Sequence, residues 1–353
     1  MNKQDLRIYF GNYTIAQKYN YFQYRRIGKK KIIPFQPIEI SIVSTGKCNL
    51  KCAMCVTHSK DIPDDYPYQQ QPTADMSIDL FKKVVDKFHK ALRVQIIGQG
   101  EPLLNKDFFE IVEYASKKKM RVTSFSNGTI LDRYIDRLLH SSLEGLTISL
   151  NSYVASDFSR ITKMPSHYFD VILKNSKKMI QQRNNMRSKL KIKASFILDQ
   201  QNYSYMPKML QIAESLGFDH MFFSNFLPID VHPEYAAEVR CLFSDDEKVK
   251  LFLKNVVPRY LKSKVSLPKL LLRNPDQHKR CNCHISQIRV DGDGDVNSCS
   301  IMLLNMKNNG HILDPQVWNN SFFQKMRKKF IESDVKELEG PCKVCTSNYG
   351  LSV

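Results

Sequence analysis

The chain has 353 residues, of which 42% are hydrophobic and 25% are charged, so it is long and apolar enough to bury a large core. No apolar run approaches the ~18 residues of a membrane-spanning helix, and the first residues lack the apolar block of a secretion signal. We therefore expect a cytoplasmic protein without a membrane span. The net charge of +18 favours anionic ligands, but no nucleic-acid-binding motif accompanies it, so an anionic small molecule is the better expectation.

The first 36 residues are aromatic and basic. Ile15, Ala16, Tyr19 and Phe22 recur at helical spacing, which predicts an amphipathic helix whose apolar side packs on the main body.

From residue 38 to about residue 226, short apolar segments alternate with longer helical ones. The predicted strands are 38–43, 93–98, 121–125, 146–150, 191–198 and 220–226. The predicted helices are 77–91, 107–119, 131–142, 166–187 and 203–216. This alternation predicts an α/β fold with a parallel sheet, either doubly wound or an incomplete barrel. In both architectures the site lies at the carboxyl ends of the strands.

The distribution of the nine cysteines is the strongest signal in the sequence. In a reducing compartment, cysteines indicate metal or redox chemistry rather than disulfides. Eight of them form two groups, one within 48–55 and one within 281–345, while Cys241 stands alone.

The first group consists of three thiols just after the first predicted strand. Three residues separate Cys48 from Cys52, and two separate Cys52 from Cys55. Structural zinc sites and most iron–sulfur clusters take four protein ligands. Three thiols without a fourth therefore predict a metal site that binds a further molecule. His58 leaves a zinc site of three cysteines and one histidine open as the alternative.

This C-x3-C-x2-C run between a strand and a helix resembles the signature of the radical S-adenosylmethionine (SAM) superfamily. The resemblance implies a partial (β/α)6 barrel of the TIM type, in which Cys48, Cys52 and Cys55 bind three irons of a 4Fe–4S cluster. The fourth iron would bind SAM, whose cleavage gives a 5′-deoxyadenosyl radical that abstracts hydrogen from a substrate. Met54 stands where the family usually has an aromatic residue, and would cover the adenine.

Other strand ends resemble the SAM-binding segments of the same family. "GQGEP" (98–102) resembles the Gly-Gly-Glu-Pro segment, with a glutamine in place of a glycine, and would accept the SAM ammonium group. "FSNGT" and "SLNS" end the third and fourth predicted strands and would face the SAM carboxylate or ribose. The residues so implied in SAM binding are Gln99, Gly100, Glu101, Pro102, Asn127, Ser149 and Asn151.

The second cysteine group lies in "CNCHISQIRVDGDGDVNSC" and "PCKVC". It resembles the auxiliary-cluster modules of radical SAM enzymes called SPASM and twitch, and the twitch form with one 4Fe–4S cluster fits better because no cysteine follows. The implied ligands are Cys281, Cys299, Cys342 and Cys345, with Cys283 as the alternative to Cys281. The alternative interpretation of these residues is a structural zinc ribbon. The "DGDGD" segment (291–295) predicts a tight hairpin turn rather than a calcium loop.

These observations predict four segments. They are an N-terminal aromatic and basic extension (1–36), a radical SAM partial barrel (37–230), a connector (231–280) and an auxiliary-cluster domain (281–353).

A cluster with four protein thiolates has no open iron for a substrate, so its expected use is electron transfer. Loss of a hydrogen atom, an electron and a proton would oxidise a small polar substrate, sugar-like or aminocyclitol-like, by two electrons. An electron donor such as flavodoxin or ferredoxin is implied, and His220, His232 and Arg240 are candidate proton acceptors by position alone. The alternatives are peptide modification by a maturase, epimerisation with Cys241 as the hydrogen donor, and a non-catalytic zinc-binding protein.

Overall fold

The computed structural model describes residues 3–28, 30–61, 72–226, 241–260, 271–273, 281–299, 309–332, 342, 345 and 350–352. Their strands are β1 (Glu39–Val43), β2 (Arg93–Ile97), β3 (Arg121–Ser126), β4 (Gly145–Ser149), β5 (Lys191–Leu198), β6 (His220–Asn225), β7 (Leu271–Arg273), β8 (Gln287–Val290), β9 (Val296–Asn297) and β10 (Gly350–Ser352). Their α-helices are α1 (Lys3–Phe10), α2 (Ile15–Arg25), α3 (Ile78–Lys87), α4 (Phe108–Lys117), α5 (Ile135–His140), α6 (Ala155–Thr162), α7 (His167–Asn185), α8 (Met206–Leu216), α9 (Glu247–Tyr260), α10 (Cys283–Ser286) and α11 (Ser321–Glu332).

The main sheet confirms the predicted α/β fold and decides between its two forms. Its strand order is β6-β5-β4-β3-β2-β1-β8-β9, and β1 to β6 are parallel and follow one another in chain order. A doubly wound sheet would reverse its order at a switch point. The sequential order is that of a TIM-type barrel, and the sheet stays open.

The six predicted barrel strands are all present, each within one residue at either end. Burial alternates along β2, β3, β5 and β6, whereas β1 and β4 are buried over most of their length. β5, for example, alternates between buried and partly exposed residues along its whole length. The predicted helices are also present, and Gly217 ends α8 in the left-handed conformation (φ +84°) that glycine adopts without strain. No helix within the described residues is both long and apolar enough to cross a bilayer.

The N-terminal helix α2 was predicted correctly, but its packing side was not. Ile15 and Tyr19 are 87% and 63% exposed, whereas Gln17 and Asn20 are fully buried. The Gln17 amide donates to the carbonyl groups of Ala91 and Lys118 at 2.9 and 3.1 Å. The helix therefore docks through buried amide side chains that cap backbone carbonyls of the barrel, and through Tyr21, which is buried with Ile38 and Leu92.

The C-terminal unit joins the barrel sheet directly. β8 pairs in parallel with the outer side of β1, and β9 pairs antiparallel with β8. The segment 291–295 forms the predicted hairpin turn, with Gly294 at φ +89° and its amide donating to the Asp291 carbonyl at 3.1 Å. The cysteines before β8 and after β9 therefore lie together at one end of this hairpin.

A buried arginine connects the C-terminal unit to the segment before β1. Arg327 on α11 is fully buried and donates to the carbonyl groups of His284, Lys31 and Trp318 and to the side chain of Asn319, over 2.7–3.1 Å. Burial without a carboxylate partner lowers the pKa of Arg327 to about 9. All of these bonds end on neutral oxygens, so they orient the guanidinium without neutralising it.

Candidate functional site

The loop that carries the first three cysteines follows β1 at the carboxyl edge of the sheet. Its amide groups hold it in place, since Ala53 donates to the carbonyl of Ile161 on α6 at 2.8 Å and Cys55 donates to the carbonyl of Cys52 at 2.9 Å. The three thiols are each partly exposed rather than buried. The loop thus presents them at the edge where the sequence predicts the site.

The three thiols are close enough to interact electrostatically. Burial raises the pKa of Cys48 to about 11, and the neighbouring charges of Glu101 and Cys55 add to the rise. Burial also raises the pKa of Cys52 to about 12, with further contributions from Cys55 and Cys48. Cys48 and Cys52 therefore stay protonated at neutral pH, and a bound metal is what would convert them to thiolates.

The "GQGEP" segment packs directly against the cysteine loop. The Gly100 amide donates to the Thr45 carbonyl at 3.1 Å, and the Glu101 amide donates to the Lys47 carbonyl at 2.8 Å. A Cβ atom at residue 100 would lie 1.8 Å from the Lys47 carbonyl oxygen. Only glycine allows the two loops to approach this closely.

Glu101 lies beneath the site, where it is 1% exposed. Its carboxylate accepts from the amides of Asn127 and Leu103 at 2.7 and 3.3 Å and from the Ser126 side chain. It also caps the short 3-10 turn that starts at Pro102. The carboxylate is thus engaged inside the protein, which favours a positioning role over the predicted direct contact with the SAM ammonium group.

The buried Glu101 carboxyl predicts a pH dependence of the apoprotein's stability. Burial raises its pKa from 4.5 to about 7, so the folded chain holds this proton more tightly than the unfolded chain. The resulting stabilisation is complete below about pH 4.5 and is lost as the pH rises through about 7. Between pH 5 and 8 we expect the free energy of unfolding in urea to fall by up to about 3 kcal/mol, and this fall to be absent in Glu101→Gln. If the free energy of unfolding changed equally with pH in both proteins, Glu101 would not be the group responsible.

A polar network beside Cys48 was not predicted as a unit. The Asn127 amide donates to the Asn49 side chain at 2.9 Å, and Asn49 donates to the Thr129 hydroxyl at 2.7 Å. The Thr129 hydroxyl donates back to Asn127 at 2.6 Å, and Asn127 also hydrogen-bonds the Cys48 thiol. The predicted residue Asn127 therefore orients a cysteine. Asn49 gives no signal in the sequence except that it adjoins Cys48.

A cleft of about 160 Å³ opens beside the cysteine loop, at the ends of β4, β5 and β6. Met54 and Asn151, both predicted to contact SAM, line it. Asn151 adopts a left-handed conformation (φ +52°), which asparagine tolerates better than most residues. The cleft also contains polar and aromatic residues that the sequence reasoning missed, Tyr153, Asp157, Arg160, Asp199 and Asn202. Three of them follow strand ends, which was the available signal.

The remaining predicted residues of this site have structural contacts. The Ser149 hydroxyl lies 3.5 Å from that of Ser195 on β5, and the Gln99 side chain accepts from the Thr73 amide at 2.9 Å. His58, the alternative zinc ligand, contacts the backbone of Gly46 and Gln99, and burial lowers its pKa.

The second cysteine group converges at the amino-terminal end of β8. Cys342 interacts electrostatically with Cys299, Cys345 and Cys281, and burial raises its pKa to about 12. Cys283 hydrogen-bonds Cys281 and Cys299. The structure thus brings together all four predicted ligands and the alternative one. Cys281 and Cys342 pack against Phe330 of α11, as does Met326 of the same helix.

The two cysteine groups lie at opposite ends of one pair of strands. The first follows the carboxyl end of β1, whereas the second precedes the amino end of β8, which pairs with β1 in parallel. A parallel strand rises about 3.3 Å per residue, so one strand length, roughly 15 Å, separates the groups.

Both donor sets consist of thiols, which are the usual ligands of iron–sulfur clusters. In the part of the chain that the structure describes, no three His, Cys, Asp or Glu side chains lie close enough to hold one metal ion. The irons of a cubane cluster occupy separate corners and take one thiolate each, so its ligands need not meet at one point. Cys48, Cys52 and Cys55 would hold the first cluster, and four thiols of the second group would hold the other.

Neither the single cysteine Cys241 nor the candidate proton acceptor His220 joins the site. Cys241 is fully buried, which favours packing over donation of hydrogen to a substrate. His220 begins β6, at the edge of the sheet opposite the cysteine loop. His232 and Arg240 lie outside the described residues.

An open sequential barrel with a three-thiol loop after its first strand defines the class of radical SAM enzymes. Residues 42–190 match the Radical SAM superfamily. A match to this superfamily implies a SAM-binding 4Fe–4S cluster and SAM as cofactors.

Relatives of known name match between half and three quarters of the chain. The tungsten-containing aldehyde ferredoxin oxidoreductase cofactor-modifying protein of Pyrococcus furiosus is 25% identical over 190 residues, which cover 52% of this chain and 50% of that protein. A probable GTP 3′,8-cyclase of Saccharolobus islandicus is 24% identical over 281 residues, covering 75% of this chain and 83% of that one. The chain therefore spans half the length of the first relative and most of the second.

Solved structures share the fold over most of the chain. Streptococcus suis SuiB bound to S-adenosylmethionine has a TM-score of 0.64 at 15% identity, covering 92% of this chain and 76% of SuiB. The enzyme anSMEcpe with bound AdoMet has a TM-score of 0.64 at 17% identity, covering 89% of each chain. Coverage of 89% and more means that the fold likeness extends beyond the residues that match the superfamily.

Proposed function

We propose that this protein is a radical SAM oxidoreductase that oxidises a small polar substrate by two electrons. The observation that carries the proposal is that one continuous sheet positions two separate groups of thiols. When bound, SAM and the first cluster supply a radical that takes one hydrogen atom, and an auxiliary cluster supplies an acceptor for one electron. The substrate loses one proton in addition, so its product carries a new carbonyl or imine.

The protein's own residues would bind, orient and shield these groups. Cys48, Cys52 and Cys55 would hold the first cluster, and Asn127 orients Cys48 through its hydrogen bond. SAM would occupy the cleft that Met54 and Asn151 line. Cys281, Cys299, Cys342 and Cys345 would hold the auxiliary cluster, which Phe330 would shield from water on one side through its contacts with Cys281 and Cys342. A flavodoxin or ferredoxin would deliver the electron that SAM cleavage consumes.

The proposed substrate class is small, polar and anionic. The net charge of +18 favours an anion, and one relative is named for its action on GTP. Peptide modification is the second candidate, because SuiB and anSMEcpe, which share this fold, have been solved with peptides bound.

Iron counting and SAM cleavage test the two clusters separately. After anaerobic reconstitution, we expect about eight irons per chain in the natural protein and about four in Cys48→Ala/Cys52→Ala/Cys55→Ala. Only the protein with the first group intact should release 5′-deoxyadenosine under dithionite. Cys241→Ala is the matched control, since this buried cysteine belongs to neither group, and it should retain both iron and cleavage. Zinc in place of iron, or cleavage by the triple variant, would overturn the proposal.

The reaction itself is tested by product mass. With nucleoside triphosphates, sugar phosphates and aminocyclitols as separate substrates, the expected product has lost two hydrogen atoms, with one 5′-deoxyadenosine released per turnover. A product of unchanged mass would indicate epimerisation, and turnover of peptides alone would favour the second candidate.

A further inference from the structure

Five thiols converge at the second cysteine group, although a 4Fe–4S cluster takes four. Cys342 interacts with Cys299, Cys345 and Cys281. Cys283 interacts with Cys281 and Cys299. One of the five therefore has a role other than ligation, and the choice falls between Cys281 and Cys283, which lie on the same short segment.

The backbone around Cys281 repeats the backbone around Cys48. At the first site, the Leu50 amide donates to the Cys48 sulfur at 3.4 Å. At the second site, the Cys283 amide donates to the Cys281 sulfur, also at 3.4 Å. In both loops the amide two positions after a cysteine points at its sulfur. Cys281 thus occupies the place of Cys48, a ligand of the first cluster, and Cys283 occupies the place of Leu50, which has no thiol.

The Cys283 side chain adds a second contact to the same sulfur. Its thiol hydrogen-bonds both Cys281 and Cys299. A thiol is a weak donor, and once Cys281 and Cys299 are thiolates they can only accept. The direction of both bonds in the loaded protein is therefore from the Cys283 S–H group to its neighbours.

Hydrogen bonds to the sulfurs of a cluster are one of the features that set its reduction potential. A donor stabilises the reduced cluster more than the oxidised one, because reduction adds negative charge to the sulfurs. The nearby cations Arg289 and Lys329, which interact with Cys299 and Cys342, act in the same direction and are unaffected by a change at residue 283.

We propose that Cys283 is a non-ligating thiol that donates to Cys281 and Cys299 and so raises the reduction potential of the auxiliary cluster. The inference rests on the proposed function, since it requires that cluster. A higher potential favours transfer of an electron from a substrate radical to the cluster, which is the step that the two-electron oxidation needs. Cys283 is therefore a positioning and tuning residue, and Cys281 is the ligand.

The test uses the full chain with Cys48, Cys52 and Cys55 replaced by alanine, so that any remaining iron belongs to the auxiliary cluster. In this background, adding Cys283→Ala should leave about four irons per chain, whereas adding Cys281→Ala should remove most of them. A redox titration followed by electron paramagnetic resonance should show a more negative midpoint potential for Cys283→Ala. Cys283→Ser keeps a hydroxyl donor at the same place and should restore the potential towards that of the background protein.

Two results would overturn this inference but not the proposed function. The first is loss of iron in both residue-283 variants while Cys281→Ala retains its iron. The second is an unchanged midpoint potential in Cys283→Ala. A background protein without iron would instead overturn the auxiliary cluster of the proposed function, and the inference with it. Thermal melting of each variant separates iron loss from unfolding, and the serine variant decides the question if the alanine variant unfolds.

Discussion

Gly100→Ala is expected to abolish binding of the first cluster and cleavage of SAM. The new methyl group would lie 1.8 Å from the Lys47 carbonyl oxygen and 2.3 Å from its carbonyl carbon. Both are backbone atoms, so no side-chain rotation relieves the overlap. The cysteine loop must move away from the "GQGEP" segment, which breaks the bonds from Gly100 to Thr45 and from Glu101 to Lys47. Overpacking of this kind costs about 1–3 kcal/mol, and here it falls on the loop that positions Cys48.

The measurement is iron and sulfide content after anaerobic reconstitution, together with release of 5′-deoxyadenosine. Gly28→Ala is the matched control, because a methyl group there meets no atom within 4 Å, and it should match the natural protein in both assays. If Gly100→Ala bound four irons in the first site and cleaved SAM normally, close contact between the cysteine loop and the "GQGEP" segment would not be required.

Arg327→Met is expected to lower the free energy of unfolding by about 3–5 kcal/mol, because it leaves buried acceptors without a donor. Arg327 donates to three carbonyl groups and one amide oxygen. Those acceptors belong to the segment before β1, to the loop before α11 and to α10. Methionine fills a similar volume but donates to none of them. The loss therefore acts on the contact between the C-terminal unit and the segment before β1.

Urea unfolding of the apoprotein under reducing conditions measures the effect. Lys328→Met serves as the control on the same helix, since Lys328 has a 57% exposed side chain and forms a 3.6 Å ion pair with Glu332. Exposed pairs contribute about 0–1 kcal/mol, so this variant should unfold close to the natural protein. Equal stability of the two variants would show that the Arg327 bonds do not hold the unit in place.

The barrel could be predicted from the sequence because its signals are local. Alternation along β5 and the glycine after α8 each involve neighbouring residues, and both appear in the structure as expected. The packing of α2 is not local. Gln17 and Asn20 read as surface residues until their partners on distant segments are known, so periodicity alone selected the wrong side of that helix.

In the candidate site, too, the features with local sequence signals could be predicted and the long-range contacts could not. The spacing of the cysteines predicted the cluster ligands, and the motif around Gly100 predicted its place in the site. The contact between Glu101 and SAM stays a prediction, whereas the enclosure of its carboxylate by the amides of Asn127 and Leu103 is visible only in the fold. Asn49 and Thr129 come from separate loops that meet only after the sheet has formed, so no pattern in the chain links them.

The strand β8 determines what a truncated form of this protein would expose. Because it covers the outer side of β1, removing the C-terminal unit would bare a row of backbone donors and acceptors next to the loop that carries the first thiols. Such bared edges invite pairing with other chains. The barrel therefore depends on its C-terminal addition to cover this edge, and a version shortened before β8 is expected to aggregate.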